Sequence, residues 1–458
     1  MGTEKKNKGL SNVQWIAIGF FGVILLGGIL LWLPVSNRQP IMFIDALFTA
    51  VSAVCVTGLV TIVPATQFTV VGKWILLLLI QIGGLGVIAC TVAFFLMIRK
   101  KITMKERIRI QQAYGLDTLS GMVRFIIRIL KGTFLAEGIG AVLYAFYFVP
   151  EFGLLRGIWY GVFHAVSAFC NAGIDILGDS SLIGYSGSPW LQFTTMFLIV
   201  FGGLGFTVWY DVVGNVRRVC KERMPRERIF TRLELHSKIV LVMTGFLLVL
   251  GTILFFLLEY HNPETLGRLS FFEKWEAALF QSVTTRTAGF ATLPQSALTE
   301  GSKMIGCILM FIGGSPAGTA GGVKTTTIAM LLLTCLSVIR GKRDTECFGR
   351  KIPQDNVRSG VTIIMVTFSF LMAGVTILSI LEPTIDMMRI LYEAVSAIAT
   401  VGLTADLTPT LCMGSKVVLM VLMYVGRIGP VTMALIFSGK VRLGTHFRDL
   451  PQKRILIG

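Results

Sequence analysis

Four ten-residue segments of this chain share a glycine at the same position. Residues 50–59 read AVSAVCVTGL, 165–174 AVSAFCNAGI, 281–290 QSVTTRTAGF and 394–403 AVSAIATVGL, and the four align without gaps. Glycine permits backbone angles that other residues avoid, and carbonyl oxygens of an extended segment can replace the hydration shell of a cation. Any one segment alone is typical of an ordinary glycine-containing loop. The four segments with their glycines aligned predict a carbonyl-lined cation filter.

The predicted filter takes three residues from each segment and ends at the shared glycine. A short apolar helix precedes each triplet, and its partly negative C-terminal end would point toward the cation. The filter residues are Val56, Thr57, Gly58, Asn171, Ala172, Gly173, Thr287, Ala288, Gly289, Thr400, Val401 and Gly402.

A second glycine-rich element follows each segment after 25, 29, 24 and 24 residues: GGLG at 83–86, GGLG at 202–205, GGSPAGTAGG at 313–322 and GRIG at 426–429. Proline costs a helix roughly 3 kcal/mol and glycine roughly 1 kcal/mol relative to alanine. The third element therefore predicts two half-helices joined by a loop beneath the filter, a candidate gate. The glycines of the first two elements read as sites of close helix packing. The gate residues are Gly313, Gly314, Ser315, Pro316, Ala317, Gly318, Thr319, Ala320, Gly321, Gly322, Lys324 and Arg427.

Two basic residues accompany this candidate gate. Arg427 is a charge inside an apolar stretch, where such residues face a cavity or a partner. It either contacts the gate loop or hinders cations until the gate moves, or it pairs structurally with loop carbonyls or a carboxylate. Lys324 either faces the pore or extends to the inner interface. A phosphate-binding P-loop is the competing interpretation of the glycines, but Val323 rather than glycine precedes the lysine.

The composition places these elements in a membrane. Hydrophobic residues make up 54% of the 458 positions and charged residues 15%, against about 25% charged in soluble domains. The eight cysteines form no pairing or metal-ligand pattern, so we expect no disulfide framework and no metal cluster. A span needs about 20 apolar residues, and such stretches run near 13–33, 74–98, 125–149, 190–213, 239–258, 304–336, 361–381 and 417–438.

The segments between these stretches alternate in charge. One set of segments is strongly basic and holds 31 Lys and Arg against 10 acidic residues: the N-terminus, 99–131, 217–238, 340–358 and the tail from residue 440. By the positive-inside rule these are cytoplasmic, and so are both termini. The net charge of +17 therefore sets orientation and does not indicate a nucleic-acid partner.

The predicted fold is an all-α polytopic membrane protein. Eight spans form four repeats of helix, re-entrant pore loop and helix around a pseudo-fourfold pore, because irregular backbone at membrane depth must be buried or line a cavity. The predicted repeats are 1–105, 106–225, 226–345 with the broken sixth span, and 346–440, followed by a cytoplasmic tail at 441–458.

With one glycine in each of four loops, the chain resembles the Trk, Ktr and HKT superfamily of potassium transporters, and its eight spans are most similar to the Ktr membrane subunit. The resemblance covers the chain from about Trp15 onward. It implies potassium as the only metal ion at the filter and uptake across the plasma membrane, often sodium-stimulated. Gly58 favours potassium, because a serine in the first loop accompanies sodium transport in plant relatives. Arg286 of the third loop would stabilise the filter from behind.

The resemblance also implies a homodimer with one pore per chain and a cytoplasmic nucleotide-binding RCK ring as regulator. The cytoplasmic loops are too short to fold into a nucleotide-binding domain, so nucleotide would act only through that partner, and we expect no covalent cofactor. A sodium or unselective cation pore on the same scaffold stays open, since glycines permit a filter without fixing its selectivity. An alternating-access carrier would need inverted halves, and a membrane enzyme would need a nucleophile or carboxylate pair that the sequence does not offer.

Overall fold

The structure is a computed structural model that describes residues 12–98, 107, 121–223, 225 and 228–429. The predictions for the N-terminal basic residues, for most of the 99–120 segment and for the tail at 441–458 lie outside the described residues.

The described part of the chain forms α-helices joined by loops and short 3-10 turns, with one two-stranded antiparallel ribbon. Its helices are α1 (Asn12–Trp32), α2 (Phe43–Cys55), α3 (Pro64–Gln67), α4 (Val70–Leu85), α5 (Val87–Met97), α6 (Met122–Phe152), α7 (Leu154–Cys170), α8 (Pro189–Gly203), α9 (Phe206–Lys221), α10 (Arg228–Arg232), α11 (Leu235–Glu259), α12 (Phe271–Thr284), α13 (Glu300–Phe311), α14 (Thr325–Ile339), α15 (Gln354–Leu381), α16 (Met387–Ile398) and α17 (Met413–Ile428). Strands β1 (Glu346–Cys347) and β2 (Arg350–Lys351) form the ribbon between α14 and α15.

Four helices, α1, α6, α11 and α15, are long and apolar enough to cross a membrane. A fifth candidate is the pair α8 and α9, which is bent by 97°. Each of the four long helices is followed by a shorter one, α2, α7, α12 or α16, that ends inside one of the four glycine segments, just before its predicted filter residues. Those shorter helices are mostly buried, whereas the long helices expose large apolar side chains such as Phe146 and Ile380.

The continuous helices predicted over 74–98 and 190–213 are wrong in this detail, because both stretches are interrupted at a glycine. Gly86 separates α4 from α5 with φ +84°, and Gly205 precedes α9 with φ +94°. Gly429, with φ +99°, follows the end of α17 in the same way. Glycine adopts these angles without steric cost and therefore ends helices readily.

The close packing predicted at these glycines is present beside the breaks. A Cβ atom at Gly83 would lie 2.7 Å from Cγ2 of Val56. A Cβ at Gly202 or Gly426 would strike the carbonyl oxygen of Phe169 or Ile398, at the C-terminal end of the preceding short helix. The glycine element of α4, α8 and α17 therefore lets each helix lie directly against the end of the short helix before it, α2, α7 or α16.

The interruption predicted near 313–322 is confirmed. Helix α13 ends at Phe311 and α14 begins at Thr325, and residues 312–324 between them form an irregular loop. We call this segment the 312–324 loop.

A buried ion pair joins the beginning of the described chain to its end. Nζ of Lys416, in the first turn of α17, lies 2.8 Å from Oδ1 of Asp45, in the first turn of α2. The two side chains are 11% and 9% exposed. The pair holds α17 against α2 and so links the fourth glycine segment to the first.

We expect Lys416→Met to destabilise the folded protein by about 3–5 kcal/mol, because it leaves the Asp45 carboxylate buried without its counter-charge. Thermal unfolding in detergent measures the loss. The double variant Asp45→Asn with Lys416→Met is the matched control and should recover part of it. Equal unfolding temperatures for wild type and Lys416→Met would contradict a stabilising role for the pair.

Candidate functional site

The four shared glycines face one another in a closed ring. A Cβ built at Gly58 would lie 2.7 Å from the carbonyl oxygen of Ala172, the residue before the next glycine. A Cβ built at Gly173 would lie 2.5 Å from the Ala288 carbonyl oxygen, and one at Gly289 would lie 2.5 Å from the Val401 carbonyl oxygen. A Cβ at Gly402 would strike the carbonyl oxygen of Thr57. Each segment therefore touches the next, and the fourth touches the first.

The backbone of the four segments is unusual at the same two positions in every copy. The shared glycines have φ values of +100°, +63°, +82° and +95°. The residue two places earlier is also left-handed, although it is never glycine: φ is +55° at Val56, +59° at Asn171, +65° at Thr287 and +53° at Thr400. Left-handed backbone is uncommon for non-glycine residues, so four registered instances indicate a conformation that the surrounding structure imposes.

All twelve predicted filter residues are buried. Their backbone N–H groups are partly used by the preceding helix: the N–H groups of Thr57, Ala172 and Val401 each donate to a serine carbonyl at 2.8 Å. Their carbonyl oxygens differ, because within the described residues none of the twelve accepts a hydrogen bond. Buried carbonyls are almost always paired. This ring of oxygens therefore has room for a ligand that supplies positive charge.

A cavity of about 300 Å³ opens on one side of the ring. It is lined by all four shared glycines and by two carboxylates, Asp175 and Asp406. The hydroxyl of Ser296 donates to a carboxyl oxygen of Asp406. Sequence reasoning missed both acids, although each follows a shared glycine by only two or four residues.

The 312–324 loop is tied to the break between α8 and α9. The N–H of Ser315 donates to the Gly203 carbonyl at 3.0 Å, the N–H of Thr319 donates to Gly202 at 3.2 Å, and the carbonyl of Ala317 accepts from Phe206 at 2.8 Å. Within the loop, Gly314 donates to Gly321 at 3.2 Å. The predicted gate residues from 313 to 322 therefore form one compact, hydrogen-bonded unit.

This loop also contacts the glycine segments directly. The Thr319 hydroxyl donates to the Phe169 carbonyl at 3.0 Å, just before the second segment's filter residues. The N–H of Gly321 donates to Oγ1 of Thr287, a filter residue of the third segment, at 3.2 Å. A Cβ at Gly321 would strike Oγ1 of Thr400 in the fourth segment. The loop therefore lies against three of the four segments.

Arg427 connects the same loop to helix α4. Its Nη1 donates to the Thr319 carbonyl and its Nη2 to the Gly83 carbonyl, each at 2.6 Å. The contact with the candidate gate and the pairing with a loop carbonyl are thus one and the same interaction, and the hindrance of cations stays a prediction. Lys324 folds back onto the loop, with Nζ 2.8 Å from the Ala320 carbonyl, and its role at the pore or at the inner interface stays a prediction.

Arg286 is buried within the third segment, at 7% exposure. Its Nε finds no hydrogen-bond acceptor among the described residues. The expected stabilisation of the filter from behind stays a prediction for this residue.

Comparison with known proteins identifies relatives over the whole length of the chain. Residues 11–445 match the family model described as TrkH, cation transport protein. The potassium/sodium uptake protein NtpJ of Enterococcus hirae is 40% identical over 99% of each chain. The Ktr system potassium uptake protein B of Bacillus subtilis is 38% identical over 95% of each chain. The crystal structure of the potassium transporter TrkH from Vibrio parahaemolyticus aligns with a TM-score of 0.73 at 18% identity, over 95% of this chain and 86% of that one.

Proposed function

Because the chain belongs to the TrkH family of cation transport proteins, we propose that it is the potassium-translocating membrane subunit of a Ktr-type uptake system. The observation that carries the proposal is the ring of twelve buried carbonyl oxygens without a donor in the described part of the chain. Potassium would shed its hydration water and take these oxygens in its place. The names of the relatives, which specify potassium or potassium and sodium uptake, support this choice of cation.

The proposed architecture is four repeats, 1–105, 106–225, 226–345 and 346–440, around one pore in a plasma-membrane protein with both termini in the cytoplasm. The four long helices are the first spans of the repeats, and the helices interrupted at glycine are the second spans. In support, the same order of long helix, short helix and glycine segment occurs four times. The filter residues are those of the four triplets, and cations enter from the cavity with Asp175 and Asp406.

The 312–324 loop is the proposed gate. It lies against filter residues of the third and fourth repeats, and Arg427 holds it by the Thr319 carbonyl. While these hydrogen bonds persist, the loop and the two basic groups at Arg427 and Lys324 obstruct the path on the far side of the ring. Transport then requires that the loop leave this position.

Regulation of the gate is proposed to come from outside the chain. A homodimer with one pore per subunit would dock on a cytoplasmic RCK-type ring, which binds the nucleotide. The length of the described loop between α14 and α15, which holds only a two-stranded ribbon, supports a separate nucleotide-binding partner. Sodium dependence is part of the same proposal, on the resemblance to Ktr systems.

A second candidate function is a pore that also carries sodium. The 40% identity to a protein named for potassium and sodium uptake favours it. Both candidates use the same filter, so only a measurement of ion selectivity separates them.

Ion flux into proteoliposomes that contain the purified chain tests the proposal. We expect saturable potassium uptake that excess sodium competes with weakly, and we expect Gly58→Ser to lose this discrimination. Equal potassium and sodium flux in wild type would favour the second candidate. Absence of cation flux, even with the 312–324 loop shortened, would contradict transport by this ring.

Asp406→Asn should raise the KM for potassium about two- to threefold at low ionic strength, because a carboxylate at the mouth concentrates cations before they enter. The maximal rate should change little, since Asp406 lies outside the twelve filter residues. Glu264→Gln is the matched control, an exposed acid that does not line the cavity. The difference between the two variants should shrink in high salt. Equal KM values at low salt would exclude a role for Asp406 in cation entry.

A further inference from the structure

Each of the short helices α2, α7, α12 and α16 carries a buried hydroxyl near its C-terminal end, inside the glycine segment, and that hydroxyl bonds to the backbone of the same segment. The four residues are Ser52, Ser167, Thr284 and Ser396, and each is 0% exposed. The three serines occupy the same position of the aligned segments. In the third segment the position of the serines is occupied by Val283, and Thr284 follows it by one residue.

The hydroxyls act in two different ways. In the first and fourth segments the serine oxygen accepts from the N–H of the shared glycine: Gly58 to Ser52 and Gly402 to Ser396, both at 3.0 Å. In the second and third segments the hydroxyl donates to the carbonyl of the residue after the glycine. Ser167 reaches the Ile174 oxygen, and Thr284 the Phe290 oxygen, both at 2.6 Å.

This difference divides the carbonyls just beyond the glycines into two pairs. The oxygens of Ile174 and Phe290 are held by a hydroxyl of their own segment. The corresponding oxygens of Leu59 and Leu403 accept no hydrogen bond within the described residues. Since segments one and four adjoin in the ring and segments two and three adjoin as well, the free and the held oxygens lie on opposite halves.

We propose that these four hydroxyls are positioning residues that set the end of the filter facing the Asp175 and Asp406 cavity. Ser52 and Ser396 fix the glycine N–H groups, so the Leu59 and Leu403 carbonyls stay available to an entering cation. Ser167 and Thr284 draw the Ile174 and Phe290 carbonyls away from it. The first cation position is therefore coordinated from one half of the ring, which distinguishes it from the fourfold positions deeper in the filter. This inference rests on the proposed function.

Thr284 offers the sharpest test because its hydroxyl and its bulk can be removed separately. Thr284→Val keeps the shape and loses the hydroxyl, whereas Thr284→Ser keeps the hydroxyl and loses a methyl group. Ser52→Ala tests the accepting mode. Its control is Thr49→Val on the same helix, where the hydroxyl only bonds back to the Asp45 carbonyl one turn earlier.

The measurement is the ratio of potassium to sodium flux in the same proteoliposomes, which does not depend on the amount of protein incorporated. Loss of one hydrogen bond of about 1 kcal/mol corresponds to roughly a three- to tenfold change in such a ratio. We expect a fall of that size in Thr284→Val and Ser52→Ala, and ratios near wild type in Thr284→Ser and Thr49→Val.

The outcomes separate this inference from the function on which it rests. Wild-type ratios in both Thr284→Val and Ser52→Ala would overturn the positioning role while leaving potassium transport intact. An equal loss in Thr284→Ser and Thr284→Val would assign the effect to packing and also overturn it. A wild-type chain that carries neither ion would defeat the proposed function itself.

Discussion

Gly402→Ala should reduce potassium uptake by at least about tenfold. The new Cβ would strike the carbonyl oxygen of Thr57, one of the proposed ligands, and would approach the Cα of Gly58. The backbone of Gly402 also lies at φ +95°, where a side chain costs roughly 1–2 kcal/mol. Either the fourth segment moves out of the ring or the Thr57 carbonyl turns away, and a cation loses its coordination in both cases.

Uptake of potassium by proteoliposomes, with the amount of folded protein measured by gel filtration, checks this expectation. Gly22→Ala is the matched control, because Gly22 lies within α1 and a Cβ there would meet nothing within 4 Å. That variant should transport like wild type. Normal uptake by a well-folded Gly402→Ala would mean that cations do not pass through the ring.

The elements around the ring were accessible to sequence reasoning because a repeat records local backbone requirements. A glycine at one column of four segments marks the residue that must adopt positive φ, and the apolar run before it marks the short helix. Pro316 among five glycines likewise requires a broken helix. The structure contains each of these features, with α2, α7, α12 and α16 ending at the segments and a loop at 312–324.

Contacts between distant segments could not be predicted in the same way. The pair GG in 83–86 or 202–205 is equally compatible with tight packing and with the end of a helix, and in the fold it serves both purposes. The direction of Lys324 depends on the position of the Ala320 carbonyl, which the loop fixes only after it has folded. A hydroxyl of a short helix either accepts from a glycine N–H or donates to the next carbonyl. Which of the two occurs depends on small displacements of the backbone in the glycine segment, and the sequence does not encode these displacements.

Deletion of residues 314–321 should raise potassium flux through the chain without any regulatory partner by about tenfold or more. The deletion removes the hydrogen bonds from Thr319 to Phe169, from Gly321 to Thr287 and from Arg427 to Thr319. Each such bond contributes about 1 kcal/mol to holding the loop in the obstructing position. Because 1.4 kcal/mol corresponds to a tenfold change in the ratio of obstructed to open molecules, the loss of these bonds accounts for an increase of that size.

The fold should tolerate this deletion because its two ends already lie side by side. A Cβ at Gly313 would be 2.8 Å from the Cα of Gly322, and the N–H of Gly313 donates to the Val323 carbonyl at 2.9 Å. Consecutive Cα atoms are 3.80 Å apart, so the gap that a peptide bond from Gly313 to Gly322 must close is short, although the parallel course of Ile312 and Val323 requires the chain to turn there.

The decisive control combines the deletion with Gly402→Ala. If the loop is a gate in series with the filter, the combined variant should lose the added flux, because every cation released by the deletion must still pass the ring. Added flux that persists in the combined variant would show a leak that bypasses the filter. Flux that stays at the wild-type level in the single deletion would remove the gate role from the 312–324 loop, and the obstruction to transport in the isolated chain would then have to reside in the ring itself.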